Sequence, residues 1–202
     1  MTENSTHGRR VVANIGLTLD GCYQGPGGRW DHGAIASYAR DSDVAGDQMV
    51  QSIQTATAVV LGRVNAEHFF EVWPPVIGMQ GADPRDEAYA RWLVSVEKVV
   101  LSSTLSEFPW DGSRVVNAPA ADVIADLKAS GEGDILISHS ASVIKALLSA
   151  EAVDRLNLIV TPEIVGGPYR LFDEGLPGSK WKLVSHETED QGVVGLTYDR
   201  IH

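Results

Sequence analysis

Two short runs of β-branched and aliphatic residues, Val59-Val60-Leu61 and Val99-Val100-Leu101, constrain the fold of this chain more than any other feature. Each stops abruptly in small polar or basic residues, Gly62-Arg63-Val64-Asn65 after the first and Ser102-Ser103-Thr104 after the second. Runs this short with no polar face read as strands buried on both sides, the condition of a parallel sheet. The first opens directly into a helical pattern, Ala66-Glu67-His68-Phe69-Phe70. A buried strand that ends at a helix start makes a natural anion site, because the first N–H groups of the helix lack partners and its dipole is positive there. Arg63 adds a planar cationic fork suited to phosphate, and the hydroxyls of Ser102, Ser103 and Thr104 suit a second phosphate or a ribose. Two such strand ends in one chain point to a nucleotide lying across a sheet edge. Taken singly, Arg63 reads equally as a surface charge and the serines as turn caps.

Composition narrows the class. At 202 residues, with 44% hydrophobic and 21% charged side chains, the chain fits one globular domain with a substantial core. A formal net charge of -11 weighs against nucleic acid and anionic membrane as partners, although a locally basic phosphate site remains compatible with it. The single cysteine, Cys22, allows no intrachain disulfide, which suits a reducing cytoplasm, and it lacks basic neighbours that would activate a thiol. No apolar run approaches the roughly 18 residues of a membrane span. Residues 1–10 are polar without a hydrophobic stretch and read as a flexible terminus rather than a signal peptide.

Along the chain, residues 11–17 read as a first, central strand. A long glycine-rich loop follows, from Leu19-Asp20-Gly21 through Gly25-Pro26-Gly27-Gly28 to Trp30-Asp31-His32, and loops of this length are usually functional or disordered. Apolar spacing predicts a helix over about 43–57, a strand at 59–61 and a helix at 65–71 that Trp73-Pro74-Pro75 terminates. Beyond a loop at 76–85, helices are expected at 86–96, 120–130 and around Val143–Leu148. Strands are expected at 98–101, 114–117, 134–137 and 156–161, and a closing antiparallel hairpin at 181–187 and 193–201. Alternating strands and helices with a final hairpin predict a three-layer α/β domain whose sheet is mostly parallel. Ligands in such sheets sit at the carboxyl ends of strands, where Gly62, Ser102 and Ser138 fall. Neither a G-x-G-x-x-G nor a G-x-x-x-x-G-K-[ST] run is present.

An ordered set of motifs resembles the dihydrofolate reductase-like family, specifically relatives of the reductase domain of bacterial riboflavin biosynthesis. The pieces are Thr18-Leu19-Asp20-Gly21, Leu61-Gly62-Arg63 with Asn65, Val100-Leu101-Ser102-Ser103, Val153-Asp154-Arg155-Leu156, and Pro162 through Phe172 with Gly166-Gly167. They span roughly residues 11 to 200, and only the ordered set is specific. The resemblance implies one dihydrofolate reductase-like domain over 11–202, a homodimer, and hydride transfer from NADPH to a small planar heterocycle or related carbonyl compound. It assigns Arg63, Ser102 and Ser103 to the adenosine-side phosphates, with Thr104 beside them, and Asn65 to the pyrophosphate in place of a threonine. Where the family has Gly-Gly after the fifth strand, close to the pyrophosphate, this chain has Ser138-His139-Ser140-Ala141-Ser142. Two outcomes stay open there. The side chains block or shift the cofactor, or Ser140 and Ser142 cap the helix and bond phosphate while a protonated His139 adds charge.

Hydride transfer also needs a proton source and exclusion of water. Asp20, in the loop that would fold over the nicotinamide, and Asp47 are the candidate catalytic acids, with Asp31, His32 and Asp43 nearby. Asp43 and Trp30 are candidate substrate contacts, Trp30 either stacking on a flat ring or plugging the core. The carboxylates near a helix start also read simply as dipole-favoured charges. No His, Cys and acid cluster indicates a metal. Two other classes remain: a non-catalytic nucleotide- or metabolite-binding protein on the same fold, and a flavin- or deazaflavin-using reductase. The absence of H-x-E and P-C-x-x-C leaves no deaminase partner domain in this sequence.

Overall fold

The apolar runs assemble into one eight-stranded sheet. A computed structural model describes residues 8–29 and 31–202. The strands are β1 (Val11–Thr18), β2 (Ala56–Gly62), β3 (Glu97–Leu101), β4 (Ser113–Val116), β5 (Asp134–Ser138), β6 (Arg155–Thr161), β7 (Lys180–Thr188) and β8 (Val194–Ile201), in the order β4-β3-β2-β5-β1-β6-β8-β7. β1 to β6 run parallel, and β8 and β7 add an antiparallel edge. This is the three-layer, mostly parallel architecture expected, with its antiparallel C-terminal hairpin.

Strand alternation divides the core. Val11, Ala13, Ile15 and Leu17 of β1 join Ile135 and Ile137 of β5 on one face, under α5 (Ala120–Ala129) and α6 (Ala141–Ser149). On the other face Val59 and Leu61 of β2 and Val100 of β3 pack with α3 (Arg63–Val72) and α4 (Pro84–Ser95). α1 (Gly33–Ala39) and α2 (Asp43–Ile53) also lie on this second face, against β1, β6 and β8. The β1–α1 connection is shorter than expected, because the stretch after His32 turns helical. α1 is admitted by Gly16, where a Cβ would come within 2.6 Å of Ile35 Cγ2.

Two helix boundaries differ from the sequence expectation. α2 ends at Ile53, four residues early, because Ala56 already pairs with Asp134 as β2 begins. α4 starts at Pro84, capped by Asp83, whose carboxylate accepts from the Arg85 N–H at 2.8 Å; proline at the first turn loses no intrahelical bond. β6 lies inside the sheet between β1 and β8. The hairpin exposes Leu183 and Val184 on the outer strand β7 and Ile201 at the end of β8.

One buried charge ties the second face together. Lys98 of β3 is fully buried, and its ammonium donates to the carbonyls of Leu93, Val94 and Val96 at 2.8–3.1 Å. Its three protons thereby satisfy the end of α4, while burial lowers its pKa.

Candidate functional site

Neighbouring strands β2 and β5 send their chains to opposite faces, α3 to one and α6 to the other. Such a divergence opens a crevice at the carboxyl ends of the strands. Gly62, Arg63 and Asn65 lie on one side of it, Ser138, His139, Ser140 and Ala141 on the other, and Ser102, Ser103 and Thr104 follow the adjacent strand β3. The structure thus gathers all ten expected cofactor-binding residues at three neighbouring strand ends.

Their hydrogen bonds separate those that build the crevice from those that face it. The buried Ser140 hydroxyl accepts from the Gly62 N–H at 3.0 Å and donates to the Ser138 carbonyl at 3.2 Å. Asn65 Nδ2 donates to the same carbonyl at 3.4 Å. Ser140 and Asn65 therefore lace the two strand ends together. Ser140 makes no side-chain cap for α6, so the expected capping role is corrected. Ser102 Oγ accepts from the N–H groups of Thr104 and Leu105 at 3.1 and 3.0 Å and shapes the turn after β3. The exposed Ser103 hydroxyl makes no hydrogen bond among the described residues.

Charge gathers at the start of α3. Arg63 Nη1 donates to Glu67 Oε1 at 3.0 Å, and Arg29, from the glycine-rich loop, donates to Glu67 Oε2 at 3.2 Å. Both guanidiniums thus meet one carboxylate beside the helix N-terminus, and the Arg29–Glu67 pair ties the loop to α3. Arg29 was not singled out from the sequence; its only signal was its place next to Trp30 in a long glycine-rich loop. Trp30 itself lies outside the described residues.

His139 adopts φ +51°, the left-handed region that favours glycine. The backbone thus keeps the turn for which the resembling family uses Gly-Gly, and carries an imidazole on it. The residue is exposed overall, while its ring packs near Phe69 of α3, with centroids 6.2 Å apart. Loss of surrounding water at the ring, with some help from the charge of His32, pushes its pKa down to about 4. The expectation of a protonated His139 is therefore corrected, since the ring is neutral near neutral pH. Its Nδ1 lies 3.1 Å from Ser138 Oγ, which lies 2.8 Å from the hydroxyl of the buried Tyr89 on α4.

The candidate acids are placed elsewhere. Asp20 accepts from Thr18 Oγ1 at 2.6 Å, the Gly166 N–H at 2.9 Å, the Val165 N–H at 3.3 Å and Cys22 Sγ at 3.5 Å. The Thr18 hydroxyl first, and then these backbone donors, hold its carboxyl well below the usual range. Asp20 is a clamp between the loops after β1 and β6, not a proton donor. Asp43 and Asp47 both pair with Arg85, at 2.8 and 3.0 Å, and Arg85 also pairs with Asp83 at 2.7 Å. Through Arg85, Asp43 and Asp47 join the starts of α2 and α4.

Two hollows lie away from this crevice. A surface hollow of about 730 Å³, lined by Glu151, Lys180, Arg200 and His202 among others, sits by the start of β7 and the end of β8 and carries no converging donor set. A cavity of about 110 Å³ beneath α2 contains Gln48 and Asn157, whose buried Oε1 and Oδ1 lack protein partners; its size and polarity suit ordered water. Among the described residues no His, Cys and acid group could hold a metal, and no helix is long and apolar enough to cross a membrane. The donor set of the crevice, cationic forks with a free hydroxyl and two helix starts, fits a ligand that carries phosphate.

Comparison with known proteins agrees with this geometry. The sequence profile of the RibD C-terminal domain matches residues 9–195. The uncharacterized protein YyaP of Bacillus subtilis (strain 168) is 27% identical over 197 residues, covering 96% of this chain and 97% of its own. A protein of Shewanella sp. PV-4 provisionally named for riboflavin biosynthesis superposes with TM-score 0.70 at 22% identity, over 96% of this chain and 99% of that one. The dihydrofolate reductase of Enterococcus faecalis, complexed with NADP(H) and RAB-propyl, superposes with TM-score 0.58 at 18% identity, over 96% of this chain and 97% of that one.

Proposed function

Since the chain belongs to the RibD C-terminal domain family, we propose that it is an NADPH-dependent oxidoreductase acting on a small planar heterocycle, pteridine- or pyrimidine-like, or a related carbonyl compound. One observation carries the reading: Arg63 and Arg29 converge on Glu67 at the start of α3, beside the β2–β5 crevice. A guanidinium at a helix start, where the dipole is positive, recognises a phosphate ester better than a neutral ligand. Arg63 with the Ser102-Ser103-Thr104 turn would hold the adenosine-side phosphates, and the starts of α3 and α6 the diphosphate. Bound NADPH supplies the hydride. The chain's own part is to orient, to exclude water through the Arg29-tethered loop, and to keep the crevice walls fixed through Ser140 and Asn65.

A thermal-shift comparison of NADPH, NADH, FMN and the deazaflavin cofactor tests the reading, because a ligand that binds only the folded state raises the melting temperature. NADPH is expected to give the largest shift. A larger shift with FMN or deazaflavin replaces the cofactor, and no shift with NADPH removes the assignment. A second reading, a binding protein without turnover, is favoured by the engagement of Asp20, Asp43 and Asp47, which leaves none of them as a ready acid. Steady NADPH oxidation with a reducible heterocycle decides against it.

The proposed assembly is a homodimer through β7, an edge strand that exposes Leu183 and Val184. Sedimentation should give twice the chain mass for the native protein and the single mass for Val184→Lys.

A further inference from the structure

Tyr89, Ser138 and His139 form a continuous hydrogen-bonded chain from the core to the crevice floor, and burial sets its direction. Tyr89 is 1% exposed, and its hydroxyl reaches only Ser138 among the described residues. Burial pushes the phenol pKa up, so it keeps its proton. If Ser138 donated to Tyr89, the phenol O–H would be left buried without an acceptor, a state that natural interiors avoid. Tyr89 therefore donates to Ser138 Oγ. The Ser138 hydroxyl proton then has His139 Nδ1 as its acceptor within reach among the described residues, which favours the tautomer protonated on Nε2. That nitrogen is the one turned away from Ser138, on a residue that is exposed overall.

We propose that Tyr89 and Ser138 act as positioning residues that fix His139 as an Nε2–H donor to a phosphate-class oxygen of the ligand held between the starts of α3 and α6. This rests on the dinucleotide reading of the same crevice for the identity of the ligand. The backbone supports it independently. A non-glycine residue is kept in the left-handed region at φ +51°, where glycine would be unstrained. The His139 N–H is meanwhile bonded to the Asn14 carbonyl at 2.8 Å, so the backbone amide itself does not face the ligand. The side chain thus supplies the donor that the main chain does not. Ser140, bonded across to Gly62, fixes the next residue and keeps the turn from relaxing.

The experiment is nitrogen-15 NMR of the full chain labelled at histidine, with and without ligand. In the free protein the His139 ring should show Nε2 protonated and Nδ1 unprotonated. Tyr89→Phe should convert it to a mixture of tautomers; if that variant does not fold, Ser138→Ala poses the same question. A tautomer mixture or Nδ1–H in the native chain overturns the proposal. NADPH and inorganic diphosphate are then titrated, and either should move the Nε2 resonance. His139→Gly should weaken NADPH binding about tenfold, the scale of one hydrogen bond to a charged group, and His139→Gln should recover part of the loss. If NADPH binds and His139→Gly binds it equally or more tightly, the proposal falls while the reductase reading stands. If NADPH fails but diphosphate moves Nε2, the reductase reading falls and the donor role stands. If neither moves it, both fall.

Discussion

The sheet carries two polar junctions at the carboxyl ends of its parallel strands, and they have opposite characters. Above β1 and β6, Asp20 gathers Thr18, Cys22, Val165 and Gly166 into a clamp whose acceptors are satisfied. Above β2 and β5, Ser140 and Asn65 lace the strands, while Ser103, His139 and Arg63 stand at the three strand ends. Both follow the same sequence rule, an apolar strand stopping in small polar residues. The difference lies in whether those groups find partners within the protein. A junction whose polar groups are satisfied holds loops together; one that keeps donors in reserve can hold a ligand.

Substitutions break or sharpen this contrast. The largest effect is expected from Asp20→Ala, which removes at once the acceptor shared by Thr18, Cys22 and the Val165 and Gly166 N–H groups. It should lower the melting temperature markedly and expose the 162–170 loop to proteolysis, with NADPH affinity changed far less than stability. Equal losses in both would merge the two junctions into one. The clamp should also fail in acid. Because the folded pKa of Asp20 lies below its unfolded value, near 4, its stabilisation is complete above that value and is lost as pH falls through it. Acid melting curves of the native chain and Asp20→Asn should converge at low pH.

Ser140→Ala should destabilise by about 1–3 kcal/mol, because it leaves the Gly62 N–H without its partner; chemical denaturation measures this. Arg63→Ala should weaken NADPH binding by about 1–3 kcal/mol, the scale of a charged hydrogen bond, with stability nearly unchanged because its pair with Glu67 is largely exposed. An unchanged dissociation constant would remove Arg63 from the site. The smallest effect is expected from His139→Gly, where relief of the left-handed backbone is offset by the lost acceptor of the buried Ser138 hydroxyl, so the stability of the free protein should change little.

The strand ends at Gly62, Ser102 and Ser138 were legible because a short apolar run followed by small polar residues carries its whole signal locally. The parallel order followed from helices alternating with strands. What the sequence withheld was partnership across distance. Asp20 reads as a loop acid until Gly166, 146 residues away, is brought to it. Asp43 and Asp47 read as free charges until Arg85 arrives from 42 and 38 residues on. Tyr89 sits in a helical apolar pattern, and nothing local reveals that its hydroxyl meets Ser138. α1 was missed because its packing depends on a missing Cβ, at Gly16 of another element.

Lys98 carries a consequence of a different kind. An amine whose every proton is held by a carbonyl inside the core cannot attack an acylating reagent until that core opens. Its labelling rate, followed by mass spectrometry against that of the surface lysines, is therefore a built-in clock for the opening of the layer under β3, and it runs without a probe being introduced.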